Sequence, residues 1–190
     1  MTVPHPTLGT LPWQRAVDRP DLLAGPVRSA LAEWVARSSD VADHVSVVEI
    51  DPGLADTATM TEAYDLPLEA SVNCVLVGGR REGVERLAAA LVRATTRADV
   101  NATLKRLLDV RKASFLPMDR AVADSGMEYG GITPIGLPPG HRLLLDRLVI
   151  DGGLALIGSG LRRSKLLLPG ELLAALPGAE VIDGLGLAIE

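Results

Sequence analysis

The feature of this sequence that most restricts its fold is the shortness of its apolar segments, most of which end near glycine or proline. Residues 71–79, SVNCVLVGG, are typical of a buried strand, and residues 44–51, HVSVVEID, of a second strand that stops before Pro52. The helical patterns between the strands are equally short, as in residues 117–126, PMDRAVADSG. Short strands interspersed with short helices, without a repeat of fixed period, predict a mixed α+β domain rather than a doubly wound α/β fold.

Later segments allow more specific predictions. The sequence does not decide the secondary structure of residues 84–96, VERLAAALVRATT. Their composition favours a helix, whereas the turn RREG before them favours a strand that pairs with residues 71–79. Residues 97–110, RADVNATLKRLLDV, predict a helix with Asp99 as its N-cap. Residues 141–150, HRLLLDRLVI, predict one strand, and LALIGSG, SKLLLPG and AEVIDG predict three more, with a short helix at GELLAALPG.

The length of 190 residues fits one domain. Residues 1–25 are rich in proline and glycine and predict an irregular N-terminal arm, followed by the domain proper over residues 26–190. Pro26 suits the first turn of a helix that continues through VRSALAEWVARS. Hydrophobic residues make up 47% of the chain and aromatic residues only 3%, so aliphatic side chains must fill the core.

The charge and the cysteine content restrict where the protein works. A net charge of −5 argues against a surface that binds nucleic acid through overall positive potential, although it allows a local basic patch. The lone cysteine, Cys74, cannot form an internal disulfide, which favours a reducing compartment. The sequence has no signal-peptide pattern and no apolar stretch of membrane-spanning length. These features predict a cytoplasmic protein without a membrane contact, with a monomer as the default state.

The common patterns of metal, cofactor and nucleophile chemistry are missing from the sequence. His5, His44 and His141 are scattered, without a second ligand at helical or hairpin spacing. GGRREG lacks the Lys-Ser/Thr pair of a phosphate-binding loop, and GSGLRRSK lacks the third glycine of a dinucleotide-binding fingerprint. Cys74 lies in an apolar strand, where a structural thiol is favoured over a nucleophile. We therefore predict no metal and no cofactor.

Two charged features stay open between a structural and a functional role. Asp146 lies within the apolar run LLLDRLVI, where it is either a turn residue between two strands or a catalytic carboxylate. Arg162, Arg163 and Lys165 form a basic cluster that is either a solvated turn or a phosphate contact.

Residues 127–140, MEYGGITPIGLPPG, place four glycines and three prolines around one Ile-Thr pair. Such a mixture of freedom and restraint is typical of a shaped backbone surface. GMEYGGITPIGLP resembles the G-x-x-x-G-G-x-x-P-x-G loop of the YbaK/EbsC family of aminoacyl-tRNA deacylases, a domain also inserted in some prolyl-tRNA synthetases. LLLD, LIGSGLRRSKLLL and PGELLAAL follow in the family's order, so the resemblance covers about residues 68–184.

This resemblance implies a mixed, strongly curved sheet that approaches a barrel, with helices packed around it and a pocket for the aminoacyl group beside the loop. Backbone N–H groups would polarise the ester carbonyl, as oxyanion donors do, and the terminal ribose hydroxyl of the substrate would help to position the attacking water. The implied carbonyl-binding residues are Gly130, Gly131 and Thr133, with Pro134 shaping the loop. The implied residues at the wall and edge of the pocket are Asp146, Gly158, Ser159 and Gly160.

The sequence departs from the family pattern at one position. The family carries a lysine early in its first long strand, and aligning VNCVLV on that pattern puts Asn73 in the lysine position and Cys74 in the Ser/Thr position. Asn73 can hydrogen-bond ribose or phosphate, but its lack of charge costs on the order of tenfold in affinity unless another cation substitutes. The candidate cations are Arg80, Arg81, Arg97, Arg162, Arg163 and Lys165.

The implied function is that of a free-standing trans-editing hydrolase, which cleaves the ester between a small, wrongly attached amino acid and the 3′ end of a tRNA. An aminoacyl-tRNA synthetase is a second implied partner, on which the protein would dock. Two alternatives stay open. A YbaK-like module that lost turnover with the lysine would bind an amino acid, an aminoacyl ester or a protein, and would become active when lysine is restored at residue 73. A purely structural partner protein would have no cavity beside residues 130–134.

Overall fold

The computed structural model describes residues 5–189, so the first four residues of the predicted N-terminal arm lie outside the described residues. Within this range the chain has the predicted α+β fold. The strands are β1 (Gln14–Arg15), β2 (Ser46–Glu49), β3 (Val72–Arg81), β4 (Val84–Arg93), β5 (Thr96–Ala98), β6 (Ala113–Phe115), β7 (His141–Asp146), β8 (Leu154–Gly158), β9 (Ser164–Pro169), β10 (Ala179–Ile182) and β11 (Gly186–Ala188). The α-helices are α1 (Gly25–Arg37), α2 (Val41–His44), α3 (Thr57–Ala63), α4 (Lys105–Leu107), α5 (Met118–Ser125), α6 (Arg147–Asp151) and α7 (Gly170–Leu173).

Shorter helical turns complete the secondary structure. The 3-10 turns are Ala16–Asp18, Pro20–Leu22, Pro52–Leu54 and Leu68–Ala70, and a π-helical segment spans Val100–Leu104. None of the helices among residues 5–189 combines the length and the apolar character that crossing a membrane requires.

The strands form three sheets. One has four strands in the order β1-β2-β9-β8, the second has five in the order β10-β7-β4-β3-β6, and the third pairs β11 with β5. The five-stranded sheet is mixed, because β7 runs parallel to both β4 and β10 while β3 is antiparallel to its neighbours. A bridge between Ser71 and Leu156 joins the four-stranded and five-stranded sheets. The predicted curved, barrel-like arrangement is thus made of separate sheets and does not close into a barrel.

The ambiguous segment at residues 84–96 is a strand rather than a helix. It forms β4, which pairs along its whole length with β3 through a turn at Glu82 and Gly83, both in the left-handed region. β4 lies between β3 and β7, and its residues 88–92 are buried on both faces of the sheet. A strand covered on both faces has a continuous apolar sequence, which is why its composition also suits a helix.

Two predicted elements change type partway along. In residues 97–110, the helix begins only after β5, and Asp99 caps it as predicted, since its side chain accepts hydrogen bonds from the N–H groups of Ala102 and Thr103. In residues 141–150, the prediction of one strand is wrong from Arg147 onwards, where α6 begins. The Asp146 carboxylate accepts from the Leu148 N–H at 2.8 Å, which caps the helix directly after the strand.

The core lies on both faces of the five-stranded sheet. The larger cluster is covered by α1, whose first turn contains Pro26 as predicted and whose buried face carries Val27, Leu31 and Trp34. Residues 16–24 also contribute apolar side chains to this cluster. A second cluster covers the opposite face around Leu104, and a third packs Trp13 and Met60 against the four-stranded sheet.

Arg93, at the end of β4, has a buried guanidinium that holds several elements together. Desolvation lowers its pKa, and no carboxylate is paired with it among residues 5–189. It donates instead to five backbone carbonyls, those of Glu69, Ala70, Leu148, Val149 and Leu154. These carbonyls belong to α6, to β8 and to the turn that precedes β3, so one side chain fixes the relative positions of three segments.

Candidate active site

A cavity of about 270 Å³ opens between α3, the first residues of β3, the end of β8 and the glycine-proline loop of residues 127–140. One wall is apolar and includes Met60, Ile132, Leu156 and Ile157. The polar side chains that line the cavity are Asp56, Thr57, Ser71, Asn73, Tyr129 and Lys165. A cavity beside residue 130 contradicts the purely structural alternative.

Lys165 is the one Lys or Arg side chain among the described residues that line this cavity. It projects from β9, is only 7% exposed, and donates from Nζ to the Gly130 carbonyl oxygen at 3.0 Å. Its pKa is lowered to about 8, first because burial desolvates the ammonium and second because Arg162 repels it, while Asp56 acts in the opposite direction. An ammonium has three N–H donors, so two remain for a ligand.

Asn73 also lines the cavity, as the resemblance implied. The Thr57 hydroxyl lies 3.5 Å from its Oδ1 atom, a long hydrogen bond from α3 to β3. The Asn73 amide nitrogen makes no hydrogen bond with any described residue and is a free donor. Asn73 and Lys165 therefore bring a neutral donor and a charged donor to the same small space.

Ser71 is a site residue that the sequence did not indicate. Its hydroxyl oxygen is buried at the cavity and has no hydrogen-bond partner within residues 5–189. Buried hydroxyls usually have a partner, so this one is available to a bound molecule. Ser71 reaches the cavity because its backbone bridges to Leu156 in the other sheet, and that long-range pairing leaves no local signal in the sequence.

The glycines of the loop serve mainly to pack against the turn that follows β8. A Cβ atom on Gly158 would overlap the Gly131 carbonyl, and one on Gly131 would overlap the backbone of Leu161. The Gly131 N–H donates to the Glu128 carbonyl at 2.9 Å, and its carbonyl accepts from the Gly160 N–H at 2.8 Å. The prediction that the Gly131 amide binds the ester carbonyl is therefore wrong, because that amide already has an acceptor.

Gly130 keeps its predicted place at the cavity. It has a φ of +82°, lines the cavity, and its carbonyl is held by Lys165. The Gly130 N–H has no acceptor among the described residues, so it remains a candidate donor to a ligand. Gly158 also lines the cavity, as implied.

The other implied residues do not line the cavity. Thr133 is buried, and Pro134 lines a separate depression beside Trp34. Asp146 is buried as a helix cap and also accepts from the Gly186 N–H at 2.6 Å, so its carboxylate has a structural role. Ser159 is buried with its hydroxyl 2.7 Å from that of Ser164. The predicted positions of Asp146 and Ser159 at the pocket edge are corrected accordingly, as are those of Thr133 and Gly160, whereas the role of Pro134 in shaping the loop stays a prediction.

The open question about the basic cluster is answered by the partners of each member. Arg162 donates to the Pro52 carbonyl at 3.0 Å and lies 3.4 Å from the Asp56 carboxylate. Arg163 pairs with Glu49 at 3.0 Å. These two arginines tie the turn to neighbouring segments, and only Lys165 of the three enters the cavity.

Cys74 lines the cavity without a role as a nucleophile. Burial raises the pKa of its thiol to about 12. The thiol is therefore neutral at physiological pH, and a neutral thiol is a poor nucleophile. Residues 5–189 contain no group of three His, Cys, Asp or Glu side chains that could bind a metal ion.

Comparisons with known proteins add a family and a fold. The model of the aminoacyl-tRNA editing domain family matches residues 51–176 of this chain. No protein of curated function matches the sequence significantly.

Among solved structures, the hypothetical protein APE2540 is 17% identical, with a TM-score of 0.70 over 83% of this chain and 99% of that protein. A candidate trans-editing enzyme for prolyl-tRNA synthetase is 21% identical, with a TM-score of 0.67 over 85% of this chain and 97% of that protein. A candidate signal transduction protein from Marinobacter aquaeolei VT8 is 17% identical, with a TM-score of 0.51 over 83% of this chain and 30% of that protein. At such identities the likeness shows the fold alone.

Proposed function

Because this chain belongs to the aminoacyl-tRNA editing domain family, we propose that it is a free-standing hydrolase that removes a small, wrongly attached amino acid from a tRNA. The family acts on aminoacyl-tRNA as a deacylase. The observation that carries the proposal for this chain is the buried Lys165 ammonium, which brings a cation into a cavity where Asn73 cannot.

The proposed reaction is hydrolysis of the aminoacyl ester. The oxygen of water adds to the carbonyl carbon, the bond from that carbon to the ribose oxygen breaks, and the water proton ends on the ribose oxygen. The products are the free amino acid and a tRNA with its 3′-terminal hydroxyls restored. Negative charge develops on the carbonyl oxygen as water adds, so a donor aimed at that oxygen accelerates the step.

Lys165 is the strongest donor available for this charge. Its ammonium is largely removed from water. A charge in such a buried site interacts more strongly with its neighbours than it does in bulk solvent. The Gly130 carbonyl fixes its position and leaves two N–H groups free. We assign the oxyanion contact to Lys165 with the Gly130 N–H, and contacts with the terminal ribose to Asn73 and Ser71. The donor that polarises the ester carbonyl in this scheme is mainly a side chain, whereas the loop sequence had suggested main-chain amides.

The size of the cavity supports a small amino acid. A volume of about 270 Å³ is at or below the lower end of the range for small-molecule sites, roughly 300–1,000 Å³. The apolar wall suits a short aliphatic side chain. The adenine base and the phosphates of the nucleotide that carries the ester are too large to enter as well and must remain outside, so that only its ribose reaches Asn73 and Ser71.

A panel of mischarged tRNAs tests the proposal. We expect purified protein to release alanine and other small amino acids from tRNA faster than phenylalanine, measured as loss of radiolabelled aminoacyl-tRNA. Lys165→Met provides the matched inactive variant. Equal rates with and without protein for every member of the panel would overturn the proposed function.

The alternative of a binding module that lost turnover is tested by Asn73→Lys. Because Lys165 already supplies a cation to the cavity, we expect the native protein to be active and Asn73→Lys to change kcat/KM by no more than about tenfold. Activity that appears only in Asn73→Lys would favour the binding module.

The lowered pKa of Lys165 predicts an unusual pH profile. The charged form, which is the active one in this proposal, is present below pH 8 and is lost as pH rises through about 8, instead of near 10.5 for an ordinary lysine. After subtraction of uncatalysed hydrolysis, kcat/KM should fall by about tenfold per pH unit above this pKa. In Lys165→Arg the fall should disappear, because arginine stays charged. A native profile as flat as that of Lys165→Arg up to about pH 9.5 would contradict the assignment.

We infer that the protein works in the cytoplasm as a monomer, acts on the 3′ end of aminoacyl-tRNA, and docks on an aminoacyl-tRNA synthetase. The N-terminal arm over residues 1–25 and the editing domain over residues 26–190 stay as proposed divisions, although residues 16–24 pack into the main core.

A further inference from the structure

An apolar depression of about 280 Å³ lies directly beside the cavity and shares Cys74, Val75, Tyr129 and Ile132 with it. Its rim carries three large exposed side chains: Phe115 and Tyr129 are each 57% exposed and Met118 is 58% exposed. We call Phe115, Met118 and Tyr129 the rim residues. Exposure of large apolar side chains next to one another often indicates a binding surface.

The rim residues stand out because aromatic residues are scarce in this chain. The sequence contains one Phe, two Tyr and two Trp. Both Trp13 and Trp34 are buried, and the Tyr64 hydroxyl accepts a hydrogen bond from the Asp51 N–H. The only Phe and the other Tyr both lie exposed at the rim. Their placement beside the cavity fits a ligand that presents flat rings, because nucleobases stack on aromatic side chains.

The charges on the two sides of the cavity differ in sign. On the α3 side, residues 51–70 contain five exposed carboxylates and no Lys or Arg of their own, and of these carboxylates only Asp56 has an ion-pair partner among the described residues, Arg162. The segment that leads into β6, residues 103–112, contains four exposed cations, Lys105, Arg106, Arg111 and Lys112, none of which forms an ion pair with any described residue. Arg111 and Lys112 are the two that lie next to the strand. The one carboxylate of that segment, Asp109, forms ion pairs with Arg81 and Arg86. A polyanion that ends in the cavity is therefore repelled on the first side and attracted on the second.

Strand β6 connects the rim to these cations. It pairs with β3 so that Phe115 lies opposite Val77 and Ala113 opposite Gly79, which directs the chain away from the cavity toward Arg111 and Lys112. At about 3.3 Å per residue, Lys112 lies roughly 10 Å beyond Phe115. Rings near the cavity and positive charge farther along match the order of groups in a single strand of RNA that enters by its 3′ end.

We propose that the unpaired 3′ end of the tRNA leaves the cavity over β6, with its terminal bases stacked on the rim residues and its phosphates beside Arg111 and Lys112. This inference rests on the proposed function for the identity of the RNA, and it assigns the direction in which the nucleotide chain runs. It also explains how a protein of net charge −5 binds a polyanion, since the positive charge is local.

Fluorescence anisotropy with a labelled single-stranded RNA that ends in CCA tests the surface without requiring hydrolysis. For Arg111→Gln/Lys112→Gln we expect about tenfold weaker binding and a slope of log K against log salt that is shallower by about 1.4. For Phe115→Ala we expect about tenfold weaker binding. The matched controls are Arg28→Gln/Arg37→Gln on α1 and Leu148→Ala, which removes an exposed apolar side chain elsewhere, and both should bind as the native protein does.

Hydrolysis of mischarged tRNA by the same set of proteins separates this inference from the proposed function. If the native protein hydrolyses the ester but Arg111→Gln/Lys112→Gln and Phe115→Ala bind RNA and hydrolyse the ester as the control variants do, the exit over β6 is wrong and the proposed function stands. If the native protein hydrolyses nothing but binds RNA through β6, the surface stands and the proposed function fails. If the native protein neither hydrolyses the ester nor binds the RNA, both fail.

Discussion

Lys165→Met is expected to lower kcat/KM for a mischarged tRNA by at least about a hundredfold, the usual effect of removing one donor to a developing oxyanion. The ammonium is nearly buried, is held by the Gly130 carbonyl, and faces a cavity that contains no other Lys or Arg among the described residues. Arg162, whose charge acts on Lys165, does not line the cavity and lies 3.4 Å from the Asp56 carboxylate. The measurement is single-turnover deacylation under enzyme excess, which reports the chemical step.

The stability of the same variant distinguishes a chemical role from a structural one. The pKa of Lys165 is lower in the folded protein than the ordinary value of 10.5, so the unfolded chain binds its proton more tightly. The buried charge therefore lowers stability below pH 8, and this destabilisation is relieved as pH rises from about 8 to 10.5. Lys165→Met should consequently melt at the native temperature or above it at neutral pH. Lost activity with a clearly lower Tm would contradict the assignment, because it would indicate a structural residue.

Arg93→Leu is expected to lower the free energy of unfolding by about 3–5 kcal/mol, because each buried carbonyl left without a donor costs about 1–3 kcal/mol and part of this is offset by removal of a desolvated charge. The substitution leaves five backbone carbonyls from α6, β8 and the turn before β3 without their donor. Urea unfolding followed by circular dichroism measures the change.

Arg86→Met is the matched control on the same strand. Arg86 donates to the Leu108 and Asp109 carbonyls and pairs with the Asp109 carboxylate at the surface, so its loss should cost about 1 kcal/mol. Arg93→Lys should fall between the two, because it keeps the charge but loses the planar fork that reaches carbonyls in different directions. Equal stability of Arg93→Leu and Arg86→Met would show that solvent satisfies the carbonyls as well as Arg93 does.

Local patterns predicted most of the elements because the signals for them lie within a few residues. The cap at Asp99, the proline at the start of α1 and the short apolar strands all belong to this class. The prediction was wrong at residues 147–150 because LLLDRLVI is apolar throughout, and only the hydrogen bond from the Leu148 N–H to Asp146 shows that the strand ends there. The segment of β4 stayed ambiguous because burial on both faces of a sheet removes the alternation that identifies a strand.

The site was predicted less well than the fold, for a physical reason. Asn73, Gly130 and Gly158 line the cavity, whereas the sequence does not show which of three neighbouring cations points into it. That choice is set by the partners of Arg162 and Arg163, which come from segments more than a hundred residues away in the chain. The loop glycines were interpreted as a surface for the ligand, but glycine is equally suited to the close approach of two backbones, and the sequence does not distinguish these uses.

The strand that carries Lys165 has one neighbour from outside the region that defines the family. β9 lies between β8 and β2, and Lys165 is in register with Val48 of β2, which precedes the matched residues 51–176. Lys165 is thus supported by a strand that lies before the residues matched by the family model. A fragment limited to residues 51–176 would therefore lack β2 and leave the edge of β9 beside Lys165 unpaired, so the cavity requires the chain upstream of the matched range.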